Sequence, residues 1–317
     1  MTVTRRLLSG AFALAIGFLA LHNVVRAQNT PAPQSNVQWS DITEVVVKAR
    51  IAGPVMWKLT KGDSTVWVLG VMDLKPDPLE WNSDHFRRVL KGAKSLILVE
   101  ESTWEPTNST LPKTVRLKDV LTPKTYERLE AKVMHEGFSI PTYERYKPVW
   151  AGARLMADVI AEHGISTRFV PETMTEMAEE AGVPIQPLLR NDAPTLLDLY
   201  DTLDATGSEA CLNDYLDSID YLLGVMPRVT YAWAHGDLKT VMRYHQQMAY
   251  TTCILRDKTT AARYPAYAVD NVVSAINTSL QTSGKSVVVW PLSDILRKGG
   301  VLDTIKTEGI TISSPAH

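Results

Sequence analysis

The sequence predicts an α/β fold: a mixed β-sheet formed by the N- and C-terminal segments, with a long helical insertion between them. Three observations carry this reading. Residues 55–71 alternate apolar and polar positions on both sides of a Gly-Asp turn, which is the pattern of a β-hairpin. Short uninterrupted apolar runs stand at Ser95 to Val99 and at Ser286 to Trp290, as in strands buried on both faces of a sheet. The long stretch between those runs reads as helices separated by Gly and Pro signals. Strands at both ends with helices between them point to one sheet domain carrying a helical subdomain.

In chain order, Val55 to Thr60 and Thr65 to Val71 are the hairpin arms around Lys61-Gly62-Asp63-Ser64. Ser83 is placed to cap a helix through Leu90, which stops at Gly92. Thr122-Pro123 has the form of an N-cap followed by a proline at the first helical position, with Gly137 as terminator. Helical patterns follow over Lys147 to His163 and Glu172 to Ala181, each closed by a glycine, Gly164 and Gly182. Further patterns run over Pro194 to Ala205, Ser208 to Leu223, Leu238 to Met248 and Thr259 to Leu280. After the second apolar run, a helix from Asp294 or shortly after breaks near Gly299-Gly300, and a last strand covers Ile310 to Ile312.

The chain has 317 residues, 45% of them apolar and 21% charged, with a formal net charge of -2. That is ample for a packed core. The balance lacks the basic excess of a general nucleic-acid binder, so no nucleic-acid partner is expected. Arg5 and Arg6 precede a short uncharged apolar run, Ala11 to Ala20, and Val25-Arg26-Ala27 offers small residues for a peptidase. This predicts a signal peptide over residues 1–27, a flexible linker over 28–51 and a domain over 52–317, with the helical insertion at about 120–282. The rival reading, an uncleaved anchor, needs about 20 apolar residues, more than this run supplies. A periplasmic or extracellular location follows, with no membrane span after cleavage. Export leaves two alternatives open for Cys211 and Cys253: a disulfide, or two separate buried thiols.

Chemistry is suggested by three acids at comparable positions. Asp73 follows Thr-Val-Trp-Val-Leu-Gly-Val, Glu100 follows Ser-Leu-Ile-Leu-Val, and Asp294 lies just beyond Ser-Val-Val-Val-Trp. In open α/β sheets ligands bind at the carboxyl ends of the strands. Carboxylates gathered there repel unless a cation neutralises them. Oxygen donors suit Mg, Mn or Ca, and an arginine would serve with no metal at all. The plain alternative is that such acids cap helices, Asp294 in particular. Sequence signatures of a serine nucleophile elbow, a phosphate loop and a zinc-protease helix do not occur. His85, His135, His163, His235 and His245 are scattered without ligand-like spacing and read as surface or packing residues.

Taken in order, these pieces resemble a known family. Met56-Trp57-Lys58, Gly62-Asp63-Ser64-Thr65-Val66 and Leu69-Gly70-Val71-Met72-Asp73 resemble the opening of TraB/GumN proteins, which reads Leu-Trp-Lys, a turn, a strand, then Gly-Thr-x-His. Leu74-Lys75-Pro76, Trp81 and Glu100 continue the match. Ala232-Trp233-Ala234-His235-Gly236-Asp237 is similar to the family's Ala-Trp-x-x-Gly-Asp, and Leu255-Arg256-Asp257 to its Arg-Asn pair. Val287 to Gly309 is similar to its closing segment, which contains a second Gly-x-x-His.

The resemblance implies a divalent metal held by the two histidines, the acid and the Arg-Asn pair, with metal-dependent peptidases among the relatives and polysaccharide gene clusters associated with others. In this chain both histidine positions carry aspartate, Asp73 and Asp294, while Asp257 stands for Asn and Pro291 for the second glycine. Glu100 and Arg256 alone match the polar set. On the resemblance, the metal ligands would be Asp73, Glu100, Asp257 and Asp294, with Glu100 and Arg256 as catalytic residues. Two functional expectations follow. One is a degenerate or altered hydrolase that acts as a binding or regulatory module for a peptide, protein or polysaccharide. The other is an active metal-dependent hydrolase using Mn, Mg or Ca held by carboxylates.

Overall fold

The computed structural model describes residues 35–40, 53–72, 74–76, 79–100, 108–166, 169–189 and 200–313. The expected signal peptide lies outside them, as does the first part of the expected helix at Pro194 to Ala205.

Among the described residues the main sheet has six strands: β1 (Met56–Lys61), β2 (Ser64–Val71), β4 (Leu96–Glu100), β6 (Ile185–Leu189), β7 (Gly284–Pro291) and β8 (Thr311–Ser313). Their spatial order is β6-β4-β7-β2-β1-β8. A two-residue pair, β3 (Lys75–Pro76) with β5 (Ile165–Ser166), makes a small second sheet.

The hairpin forms as its sequence dictates. β1 and β2 pair antiparallel from Met56↔Leu69 to Lys61↔Ser64, which leaves Gly62-Asp63 as the two-residue turn. Gly62 takes φ 57°, in the left-handed region that glycine enters without steric cost. β2 then pairs in parallel with β7 over its full length, from Ser64↔Gly284 to Val71↔Pro291. β4 joins the other side of β7, and β6 joins β4, both in parallel. Val287, Val288, Val289 and Trp290 are all fully buried, because a central parallel strand is covered on both faces. The α/β class and the construction of the sheet from both ends of the chain are therefore observed.

The long middle segment is mainly helical: α1 (Asp84–Leu90), α2 (Leu117–Val120), α3 (Pro123–His135), α4 (Pro148–Glu162), α5 (Phe169–Glu180), α6 (Ala205–Gly224), α7 (Met226–Ala234), α8 (Leu238–Tyr244), α9 (Ala249–Ile254) and α10 (Lys258–Leu280). Thr122 caps α3 by accepting from the Thr125 amide, with Pro123 at its start. Ser83 differs from expectation. It precedes α1 but makes no side-chain cap, and Asn82 accepts the Asp84 amide instead, at 2.9 Å. The segment also returns to the main sheet through β6, which its sequence hides because Pro187 interrupts the strand pattern. The position tolerates proline because β6 is an edge strand.

Residues 35–40 fall within the stretch that composition reads as linker, yet they are docked on the domain. The Lys298 amide donates to the Gln38 carbonyl at 2.7 Å, the Ser40 amide to the Leu296 carbonyl at 2.9 Å, and the Trp39 indole to the Met242 carbonyl at 2.6 Å. Val37 and Trp39 supply apolar contact amid otherwise polar neighbours, with Val37 buried and Trp39 packed on the core.

The closing helices α11 (Leu292–Leu296) and α12 (Val301–Thr307) follow β7 directly. Gly70 sits where α11 crosses the end of β2. A Cβ added there would lie 2.3 Å from Leu292 Cδ1 and 3.3 Å from Leu292 Cα. Gly70→Ala is therefore expected to destabilise the fold by about 1–3 kcal/mol through overpacking. At roughly 2–4 °C per kcal/mol for a domain of this size, calorimetry should record a drop of several degrees in melting temperature.

Candidate functional site

Because β2, β4 and β7 run in parallel and lie side by side, their carboxyl ends share one edge of the sheet. Three sequence-distant segments are joined there. Leu292 at the start of α11 covers Gly70. Trp233 near the end of α7 donates its indole N–H to the Gly70 carbonyl at 2.7 Å, within the protein interior. Trp81 packs against Trp233 with ring centroids 5.8 Å apart. The indole thus satisfies a strand-end carbonyl that burial would otherwise leave costly.

The acids expected at this edge are distributed as follows. Asp73 lies outside the described residues. Glu100 is the last residue of β4, and its side chain is likewise outside what is described. Asp294 lies in the first turn of α11 and is 0% exposed. Its Oδ1 is 3.5 Å from Nε of Arg297, one helical turn along, whose side chain is 13% exposed. A carboxylate taken wholly out of water requires a compensating charge, and the guanidinium supplies it. Residues 35–40 close over the same turn, with Trp39 bridged to Arg297 through the backbone.

Arg256 and Asp257 belong to a different constellation. Arg256 forks onto Asp214 of α6, with Nε 2.8 Å from Oδ2 and Nη2 2.6 Å from Oδ1. This is the bidentate geometry that suits guanidinium to carboxylate. Asp257 immediately precedes α10, and its carbonyl accepts the Ala261 amide at 2.8 Å. Beside them, Cys211 of α6 and Cys253 of α9 are free thiols, both buried. They are neither bridged nor apart: one sulfur from each and one Asp214 oxygen all lie within 4.8 Å of one another.

Of the ligand set that the family resemblance implies, the described residues show two members beside partners of opposite charge. Asp294 is enclosed beside Arg297, the residue that follows α11, and Arg256 forks onto Asp214. Sequence reading missed three contributors. Arg297 was discoverable, since it follows Asp294 by three positions, just past the end of a helical turn. Asp214 carried a weaker signal of the same kind, three positions after Cys211. The role of Trp233 as donor to Gly70 had no local signal.

Other motif residues are structural. Asp237 caps α8, its Oδ1 accepting the Thr240 amide at 3.0 Å. His235 stacks on Tyr231 and lies 2.8 Å from the Tyr231 carbonyl through Nδ1. His85 is held below its usual pKa by burial and by Arg88, which suits a neutral packing role beside Trp67.

Fold and edge together define an α/β protein whose two chain ends build one sheet and whose helical middle folds back over its carboxyl rim. The chain belongs to the TraB/PrgY/gumN family, whose profile matches residues 55–314. No curated protein and no solved structure matches it significantly.

Asp237→Ala should cost about 1 kcal/mol through loss of the cap, and Asp237→Asn should retain most of it. Burial acts to raise the Asp237 carboxyl, but hydrogen bonds from Thr240 outweigh it and hold the group below its usual value. The carboxylate's contribution is therefore present above the unfolded pKa and lost as pH falls through the folded one. Melting curves of wild type and Asp237→Ala should separate at neutral pH and draw together below about pH 4.

Proposed function

We propose that this protein is an exported TraB/GumN-like binding or regulatory module in which the metal-dependent hydrolase site of the family has been altered beyond catalysis. One observation carries the reading. Asp294, at the position of the second signature histidine, is 0% exposed and paired with Arg297 at 3.5 Å. A carboxylate at that position is enclosed and held beside a guanidinium, which disfavours its holding a cation together with a reacting water. Such a pair is retained for structure, since breaking it would leave an uncompensated buried charge. The partner class is a peptide, protein or polysaccharide bound without turnover. Export rests on Arg5-Arg6, the apolar run Ala11 to Ala20 and the small residues before Gln28. No described helix is long and apolar enough to cross a membrane.

The parallel order of β2, β7 and β4 favours a second reading, because it draws the strand ends before Asp73, Glu100 and Asp294 to one edge. In that reading Glu100 and the aspartates hold Mn, Mg or Ca, and the cation lowers the pKa of a bound water.

Two measurements separate the readings. The purified protein is melted with Mn, Mg or Ca in excess and incubated with a peptide mixture followed by mass spectrometry. The binding-module reading expects an unchanged melting temperature and intact peptides in every condition. A cation-dependent rise in melting temperature, or cleavage, that Glu100→Ala and Asp73→Ala abolish would replace it with the hydrolase reading. Export is checked separately: protein recovered from the producing cells should begin at Gln28, and an intact Met1 in the envelope fraction would refute cleavage.

A further inference from the structure

We propose that Cys211, Asp214 and Cys253 form a binding site for one thiophilic divalent cation, zinc foremost, between α6 and α9 and independent of the sheet edge. Cys211 and Asp214 are one helical turn apart on α6 and so present their side chains on one face. Cys253 comes to them from α9. One donor atom from each of the three lies within 4.8 Å of the other two. The Cys253 sulfur is 3.8 Å from Asp214 Oδ2. Tetrahedral zinc, with bonds of about 2.3 Å to sulfur and about 2.0–2.2 Å to oxygen, places its donors roughly 3.5–3.8 Å apart. The free thiols are thus close to the spacing a metal would impose, and only small side-chain adjustments separate the two.

The surroundings meet the other requirements of such a site. Both cysteines are 0% exposed, which keeps bulk water from competing. Asp214, with Thr252, also lines an adjacent cavity of about 420 Å³, so the carboxylate side of the cluster is reached from outside. Arg256 grips Asp214 from outside through two hydrogen bonds, the kind of outer partner that orients a ligating carboxylate. Charge balances as well. The cation replaces one proton on each thiol, both protons leave to solvent, and the net charge of the cluster is unchanged. The neighbouring acids of the cavity are otherwise engaged, Asp217 with Arg128 and Asp220 with Lys132. Soft thiolates select zinc over the hard cations that carboxylates alone would take.

The same sulfurs define the competing outcome, a disulfide, in which Asp214 would have no part. Protein purified under reducing conditions and stripped with chelator is titrated with Co²⁺ and then with Zn²⁺. The expected result is a thiolate-to-cobalt charge-transfer band with tetrahedral ligand-field bands, saturating at one ion per chain and bleached by one equivalent of zinc. Cys253→Ser should lose the charge-transfer intensity, and Asp214→Asn should weaken binding by at least about tenfold, with circular dichroism confirming that each variant is folded. Zinc should also slow formation of a Cys211–Cys253 bond by oxidised glutathione, in which the two thiols are oxidised and one glutathione disulfide is reduced to two thiols. No cobalt spectrum in the wild type overturns the proposal. So does an unchanged spectrum in Cys253→Ser, or disulfide formation that proceeds equally fast with zinc present. None of these results bears on the sheet edge, because Asp73, Glu100 and Asp294 take no part in them.

Discussion

The architecture depends on the parallel pairing of β2 with β7. Eight residues near the start of the domain lie against eight near its end, from Ser64↔Gly284 to Val71↔Pro291. Parallel neighbours cannot be joined by a tight turn, so the chain between them has to leave the sheet and return. Here that excursion carries almost all the helices. At the carboxyl end of the pair the Leu292 side chain covers Gly70 so closely that a Cβ there would collide with it. The Gly70 carbonyl is then met by Trp233 from the helical layer. One small residue thus ties the opening strand, the closing helix and the middle of the chain together.

The second organising constraint is the handling of buried charge. A carboxylate removed from water must find a cation, and the described residues meet that need with arginine. Arg297, just past α11, serves the buried Asp294, and Arg256, between α9 and α10, serves the partly exposed Asp214 of α6. Arg256 in particular is oriented toward α6, where it supports a carboxylate beside two thiols. The chain therefore has two distinct polar centres, one at the sheet rim and one among the helices, and their chemistries differ. Oxygen donors and a guanidinium occupy the first, whereas sulfur donors dominate the second.

Much of this was legible from residues in order. The hairpin followed from alternation around Gly62-Asp63, the α3 start from Thr122-Pro123, and the buried strands from Ser95 to Val99 and Ser286 to Trp290. These features are local, and the physics that produces them acts over a few residues. β6 was illegible because Pro187 breaks its pattern, while its fitness as an edge strand depends on neighbours elsewhere. Residues 35–40 looked like tether because polar composition masks the anchoring of Val37 and Trp39. At the candidate site, the positions at the ends of three strands were legible, but the partners of their charges were not. Arg297 lay within reach of a helical spacing argument. The distance in sequence from Asp214 to Arg256 put that pairing beyond any local rule.

By itself, then, the amino-acid order determined the element types, the family, and the replacement of both signature histidines by aspartate. All of these are properties of short windows or of residue identity. Only the tertiary structure decided which acid met which base and which thiols met each other, because such pairings depend on how α6, α9 and α11 pack rather than on what their residues prefer alone. The same carboxylate is a metal ligand in an open cleft and half of an ion pair in a closed one. Solvent exposure and the nearest guanidinium make that choice, and both are properties of the folded chain.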